Sequence, residues 1–148
     1  SVVVVIDLKK KFFSNSYDMY TDNGKNRIKQ DAMAFIKEVE NNGAGEIVIN
    51  SIDNDGMMRG YDMDLITSIR ESINIPITAL GGAGSLEDIK SLIDKHSIIG
   101  AAAGSLFVFK GKYRAVLINY PNQIEKMKLL SNKEGTFWNK YYKIYQME

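Results

Sequence analysis

Residues 45–62, GEIVINSIDNDGMMRGYD, run a β-branched stretch straight into a loop that holds two carboxylates and a flexible glycine. Glu46 to Asn50 show the nearly continuous apolar pattern of a strand buried on both faces, the kind that parallel α/β sheets require. Asp53, Asp55 and Gly56 fall just past its carboxyl end, the side on which parallel α/β folds bind their ligands. Two plainer readings compete with an active-site loop. Aspartate and glycine are ordinary turn residues, so Asp53 and Asp55 can simply shape a βα turn and cap the next element. The spacing of Ser51, Asp53, Asp55, Gly56 and Asp62 also approximates an EF-hand calcium loop. Such a loop needs a helix before it, however, and EIVIN is a strand pattern.

Strand and helix signals extend outward from this loop. Upstream, residues 2–6 form an unbroken apolar run that predicts a buried strand ending at Asp7. Asp22, Asn23 and Gly24 then give a turn signal for a small hairpin. Ile28, Ala32, Phe35, Ile36 and Val39 recur at helical spacing, which predicts a helix over 28–42 with Gly43 as its stop. Downstream, helices are predicted over 62–72 and 86–95, and strands over 76–80 and 98–102. Strand and helix thus alternate four times with short connections, the pattern of a parallel sheet with helices packed over it.

Composition narrows the function classes. The 148 residues are 45% hydrophobic and 25% charged, the profile of one globular domain. Nineteen basic and eighteen acidic residues leave a net charge of +1, so no electrostatic footprint calls for nucleic acid or a membrane surface. The absence of cysteine removes thiolate catalysis and zinc–thiolate sites and is compatible with a reducing compartment. No apolar run approaches the ~20 residues of a membrane span. SVVVVID at the start lacks the basic leader of a signal peptide, and a cytoplasmic location is the expectation. No cofactor or metal is called for.

Each predicted strand ends in a chemically useful turn: Asp7, then the loop containing Asp53 to Gly56, then Gly81-Gly82-Ala83-Gly84, then Gly104-Ser105. Glycine-rich turns let backbone N–H groups approach an anion, and such a pair after the last two strands is the usual phosphate site of a (β/α)8 barrel. Glycine also lets a strand pass tightly into a helix, so the GGAG turn alone supports either reading.

Taken together, IDLKK, GAGEIVINSIDNDGMMRGYD, IPITALGGAGSLED and AAAGSLFVF resemble the carboxyl-terminal half of HisF, the cyclase subunit of imidazole glycerol phosphate synthase, over residues 2–110. The resemblance implies strands 5 to 8 of a (β/α)8 TIM barrel within residues 1–120, with an unassigned helical extension at 121–148. In that family, ammonia from a glutaminase subunit passes through the barrel to a bisphosphorylated ribulosyl aminoimidazole carboxamide nucleotide. Cyclisation and cleavage then yield imidazole glycerol phosphate and an aminoimidazole carboxamide ribotide. By motif, Asp7 and Asp55 match catalytic carboxylates. Gly56, Gly81, Gly82, Gly104 and Ser105 match a substrate phosphate site, and Glu46 matches a charged ammonia gate at the opposite end of the barrel.

The chain departs from the family in two ways. It begins at the fifth strand of a barrel whose usual length is about 250 residues, and Ser1 in place of Met is consistent with a fragment. Self-association or a missing amino-terminal half barrel is therefore expected. In addition, Asn50 and Met57 replace threonines and Leu80 replaces a small polar residue. With GKYRAVLINYP at 111–121, these changes resemble a HisF-like branch that pairs with a glutaminase and passes ammonia to a sugar amidotransferase making acetamidino sugars. Histidine biosynthesis is the alternative, as is a non-catalytic scaffold that binds a glutaminase. Lys9, Lys10 and Lys11 read as a solvated run, His96 as a surface residue, and Phe137, Trp138, Tyr141, Tyr142 and Tyr145 as packing aromatics.

Overall fold

The computed structural model describes residues 2–131 apart from 98 and 112. The tail aromatics from Phe137 to Tyr145, and the first residue of the strand expected over 98–102, lie outside the described residues. Four strands run parallel in chain order: β1 (Val3–Lys10), β4 (Glu46–Ser51), β5 (Ile77–Leu80) and β6 (Gly100–Ala101). Between β1 and β4 come the hairpin β2 (Tyr17–Thr21) and β3 (Asn26–Ile28) and the helix α1 (Ala32–Asn41). Helices α2 (Met63–Arg70) and α3 (Leu86–His96) make the next two crossovers. Past β6 come α4 (Ser105–Val108), β7 (Phe109–Lys110), β8 (Ala115–Val116) and α5 (Gln123–Leu130). The fold is α/β with a parallel sheet, as the alternating pattern predicts. Among the described residues no helix is long and apolar enough to cross a membrane.

Local chemistry sets the boundaries. Asp22, Asn23 and Gly24 all have positive φ, and β2 and β3 close around them as the expected hairpin. This pairing takes Ile28 into β3, opposite Met19, so the first helix starts at Ala32 rather than at 28. Asp31 caps it by accepting the Ala34 N–H at 2.8 Å. Asp62 caps α2 in the same way through Leu65, and Ser85 with Asp88 forms a reciprocal capping box on α3.

The sheet order is β3-β2-β1-β4-β5-β6. The hairpin pairs only with Asp7–Lys10, the second half of β1, so the outer edge of Val3–Ile6 has no strand neighbour among the described residues. Side chains alternate between two unlike faces. Ile6, Leu8, Ile47, Ile49, Ile77 and Ala79 point toward the helices and are at most 4% exposed, packed with Ile36, Leu65, Ile69 and Leu92. Burying one such side chain contributes about 1.5–3 kcal/mol. The opposite face carries Val3, Val5 and Asp7 of β1, in register with Glu46, Val48 and Asn50 of β4. No helix of the described chain covers it, and Val5 is 62% exposed.

Candidate functional site

The carboxyl end of the open face holds a paired polar group. Asp7 and Asn50 are direct neighbours across β1 and β4, and Asn50 Nδ2 donates to Asp7 Oδ1 at 2.9 Å. The amide turns its nitrogen toward the Asp7 carboxyl oxygen, which accepts. Its own oxygen, Asn50 Oδ1, is then left buried without a partner. Leaving such an acceptor unsatisfied costs about 1–3 kcal/mol. Leu80, next across the sheet from Asn50, completes the row with an apolar side chain.

Above this row lies the loop from β4 to α2. Its two aspartates differ in role. Asp53 Oδ2 accepts the backbone N–H of Lys10 at 2.9 Å and ties the loop to the end of β1, so its turn-shaping reading holds. Asp55 is anchored through its backbone, whose N–H donates to Ser51 O at 2.9 Å, and its side chain is exposed. Asp7 is thus part of the strand wall, and Asp55 stands on the loop above it.

The four turn glycines also divide. A side chain on Gly82, where φ is +106°, would collide with the Gly60 carbonyl, and one on Gly81 would come within 2.6 Å of Ser51 O. Gly60 N–H in turn donates to Gly82 O at 2.9 Å. Close packing of the GGAG turn on the β4–α2 loop therefore accounts for these two glycines. Gly56 and Gly104 instead border open space. Gly104 precedes Ser105 at the start of the four-residue α4 and makes no side-chain cap bond.

At the other end of the same face, Thr78 Oγ1 donates to Glu46 Oε1 at 2.6 Å. Both line a cleft of about 490 Å³ with Pro76, Ser97, Gly100 and Leu130. Glu46, Val48 and Asn50 share the open face, and four residues of strand separate its ends by about 13 Å. Apolar Val48 lies between the two polar ends.

Some partnerships escaped the sequence reading. Tyr17 donates its hydroxyl to the Asp62 carboxyl at 3.0 and 3.2 Å, and burial, then the Asp62 charge, push its phenol well above the ordinary range. Tyr61 donates to Ala102 O at 2.9 Å, and burial, then Asp88, push it up to about 12. Both sides of the Tyr17–Asp62 contact look ordinary locally, and only the 45-residue separation in sequence hides them. Lys11 pairs with Asp18 at 3.4 Å and Lys9 lies 6.0 Å from the Tyr20 ring centre, which agrees with a solvated run. His96 is less peripheral than expected: it closes α3 and contacts Thr67 Oγ1 at 3.4 Å. Among the described residues, no group of three or more His, Asp or Glu side chains is placed to hold a metal ion.

A parallel βα sheet with a held carboxylate and open glycine turns at its carboxyl ends defines an α/β protein of the kind that binds ligands beyond those ends. The chain belongs to the histidine biosynthesis protein family, whose model matches residues 1–114. A Vibrio vulnificus protein provisionally named imidazole glycerol phosphate synthase subunit hisF3 is 50% identical over 130 residues, 88% of this chain and 50% of that protein. A Leptospira borgpetersenii protein, provisionally named as the HisF subunit, is 53% identical over 85% of this chain and 50% of its own length. The imidazole glycerol phosphate synthase subunit HisF of Clostridium botulinum (strain Langeland) is 39% identical over 74% of this chain and 43% of its own. The chain spans about half the length of the curated relatives it matches.

Proposed function

We propose that the chain is the carboxyl-terminal half of a HisF-type (β/α)8 barrel, a subunit that brings ammonia from a glutaminase to a phosphorylated substrate. The observation that carries this reading is the Asp7–Asn50 pair on the uncovered sheet face, held at 2.9 Å with one amide oxygen left unsatisfied. Adding ammonia to a carbonyl, losing water and cleaving a C–N bond each need a proton moved, and a positioned carboxyl group supplies that transfer. Asp7 is the acid–base group on the wall of the site, and Asp55 the second carboxylate at its mouth. The substrate phosphate binds at Gly56, Gly81, Gly82, Gly104 and Ser105, with Gly81 and Gly82 also packing their turn against the β4–α2 loop. Glu46 gates ammonia at the opposite end, where the glutaminase docks, and Val48 lies along the path between them.

Within the family, the reading extends to a paralogous branch that supplies ammonia to a sugar amidotransferase for acetamidino-sugar formation. Two observations favour it. Relatives named as provisional HisF subunits or paralogues reach 50% and 53% identity, against 39% for the plainly named HisF. Leu80 also puts an apolar side chain beside Asn50 in the row that ends at Asp7.

The test joins this chain to the amino-terminal half of the Vibrio vulnificus relative and measures ammonia-dependent turnover. Asp7→Asn should lower it at least ~100-fold, the lower range for lost general acid–base catalysis. Equal kinetics in the two proteins would remove Asp7 from the reaction. The same chimera should fail to restore growth without histidine to a strain lacking the cyclase; normal growth would return the chain to histidine biosynthesis.

A further inference from the structure

The segment after Gly104-Ser105 folds back on itself and reaches across the mouth of the site. After α4, β7 and β8 pair antiparallel, with Phe109 opposite Val116 and Lys110 opposite Ala115. The chain then returns alongside α4: Leu117 N–H donates to Val108 O at 2.9 Å and Asn119 N–H to Phe107 O at 2.8 Å. The hairpin is therefore anchored to the turn that begins at Gly104. From its tip, Arg114 Nη2 donates to the carbonyl of Gly56 at 2.5 Å, 58 residues away on the β4–α2 loop. One side chain thus ties the hairpin that follows Gly104 to the loop that carries Gly56.

Arg114 is exposed, and three features set it apart from an unconstrained surface cation. It sits at φ +50°, in the left-handed region that costs a non-glycine residue about 1–2 kcal/mol and that persists where the surroundings over-determine it. Its guanidinium lies 5.7 Å from the centre of the Phe109 ring, within reach of a cation–π contact. The ion pairs among the described residues are Lys11–Asp18, Arg27–Asp18 and Lys90–Asp94, so none of the described carboxylates pairs with it. A guanidinium carries five N–H donors in a rigid fork suited to phosphate, and a single bond to Gly56 leaves most of them open.

We propose that Arg114 is a substrate-recognition residue, supplied by the β7–β8 hairpin, that binds the phosphate monoester lodged between Gly56 and Gly104. It rests on the phosphate site proposed above and adds to it a formal positive charge where backbone donors alone would act. The hairpin places that charge from one side of the site while the β4–α2 loop fixes it from the other.

Calorimetric titration of the full chain with ribose 5-phosphate, at low and high salt, tests this. Arg114→Gln keeps a donor for the Gly56 carbonyl and removes the charge; it should weaken binding about tenfold at low salt, the scale of one charge-assisted hydrogen bond. The gap should narrow at about 1 M salt, where the screening length falls to about 3 Å. Arg114→Lys, which keeps charge without the fork, should fall between the two. Gly104→Val fills the open space with no backbone penalty and should abolish binding. If Gly104→Val loses binding while Arg114→Gln matches the unaltered chain, or is weakened equally at every salt concentration, Arg114 only tethers the hairpin and the proposal is overturned. If Gly104→Val binds as well as the unaltered chain, the phosphate site fails and Arg114's role fails with it.

Discussion

The two faces of the parallel sheet are built from the same strands and have opposite fates. On one, Ile47 and Ile77 are at most 1% exposed, packed with residues of α1 and α2; on the other, Val3 is 51% and Val5 62% exposed. An isolated exposed valine is ordinary, but a row of β-branched side chains beside the unpaired edge Val3–Ile6 is a surface that natural sheets cover. The described residues supply helices to one face only. Every residue proposed to act chemically along the strands, from Glu46 through Asn50 to Asp7, lies on the face it leaves open.

Substitutions to threonine on the two faces should separate them sharply. Ile47→Thr removes buried methyl groups and buries a hydroxyl, and should lower stability by at least ~2 kcal/mol. Val5→Thr keeps the β-branched shape at an exposed site and should change the stability of the highly diluted chain by about 0.5 kcal/mol or less. Denaturant midpoints of both variants check this. Equal losses would mean that the open face is already packed within the chain.

A smaller effect lies on the covered side, where His96 meets Thr67. Burial, then Lys95 and Arg70, lower its pKa from 6.5. The unfolded chain therefore binds a proton more readily than the folded one, so stability falls as pH drops through about 6.5 and below. His96→Gln should flatten that part of the stability curve and leave the region above about pH 7.5 unchanged. An unaltered acid slope in thermal melts would show that His96 contributes nothing to it.

Sequence periodicity exposed the covered side well. The helical spacing of Phe35, Ile36 and Val39 and the alternation of strands and helices carry local signals of burial, whereas the apolar run at 2–6 predicted a buried strand and the described residues leave Val2, Val3 and Val5 exposed. The Asp22-Asn23-Gly24 turn was legible because few other residues accept positive φ. Boundaries set by pairing were not: Ile28 fits a helical stripe, yet it pairs with Met19 across the hairpin. The glycines signalled close approach without saying of what, and at Gly81 and Gly82 the approaching group is backbone from β4 and the loop after it. The hairpin that carries Arg114 was missed because its strands, Phe109–Lys110 and Ala115–Val116, are two residues each, too short for alternation to mark them. Asp7 was readable as a strand-end carboxylate, whereas its bond to Asn50 depends on register between strands 43 residues apart.

The central claim is that the open face is the inner wall of a barrel completed by a second half. The direct test is sedimentation of this chain alone and mixed with the amino-terminal half of the Vibrio vulnificus relative, with amide exchange followed at Val3–Ile6. The account predicts that the chain alone self-associates, that the mixture sediments as one species of combined mass, and that the outward-facing amides of Val3 and Val5 become protected in it, those of Val4 and Ile6 already facing β4. A chain that remains a soluble, cooperatively unfolding monomer, sediments apart from the added half and leaves those amides unprotected would contradict it.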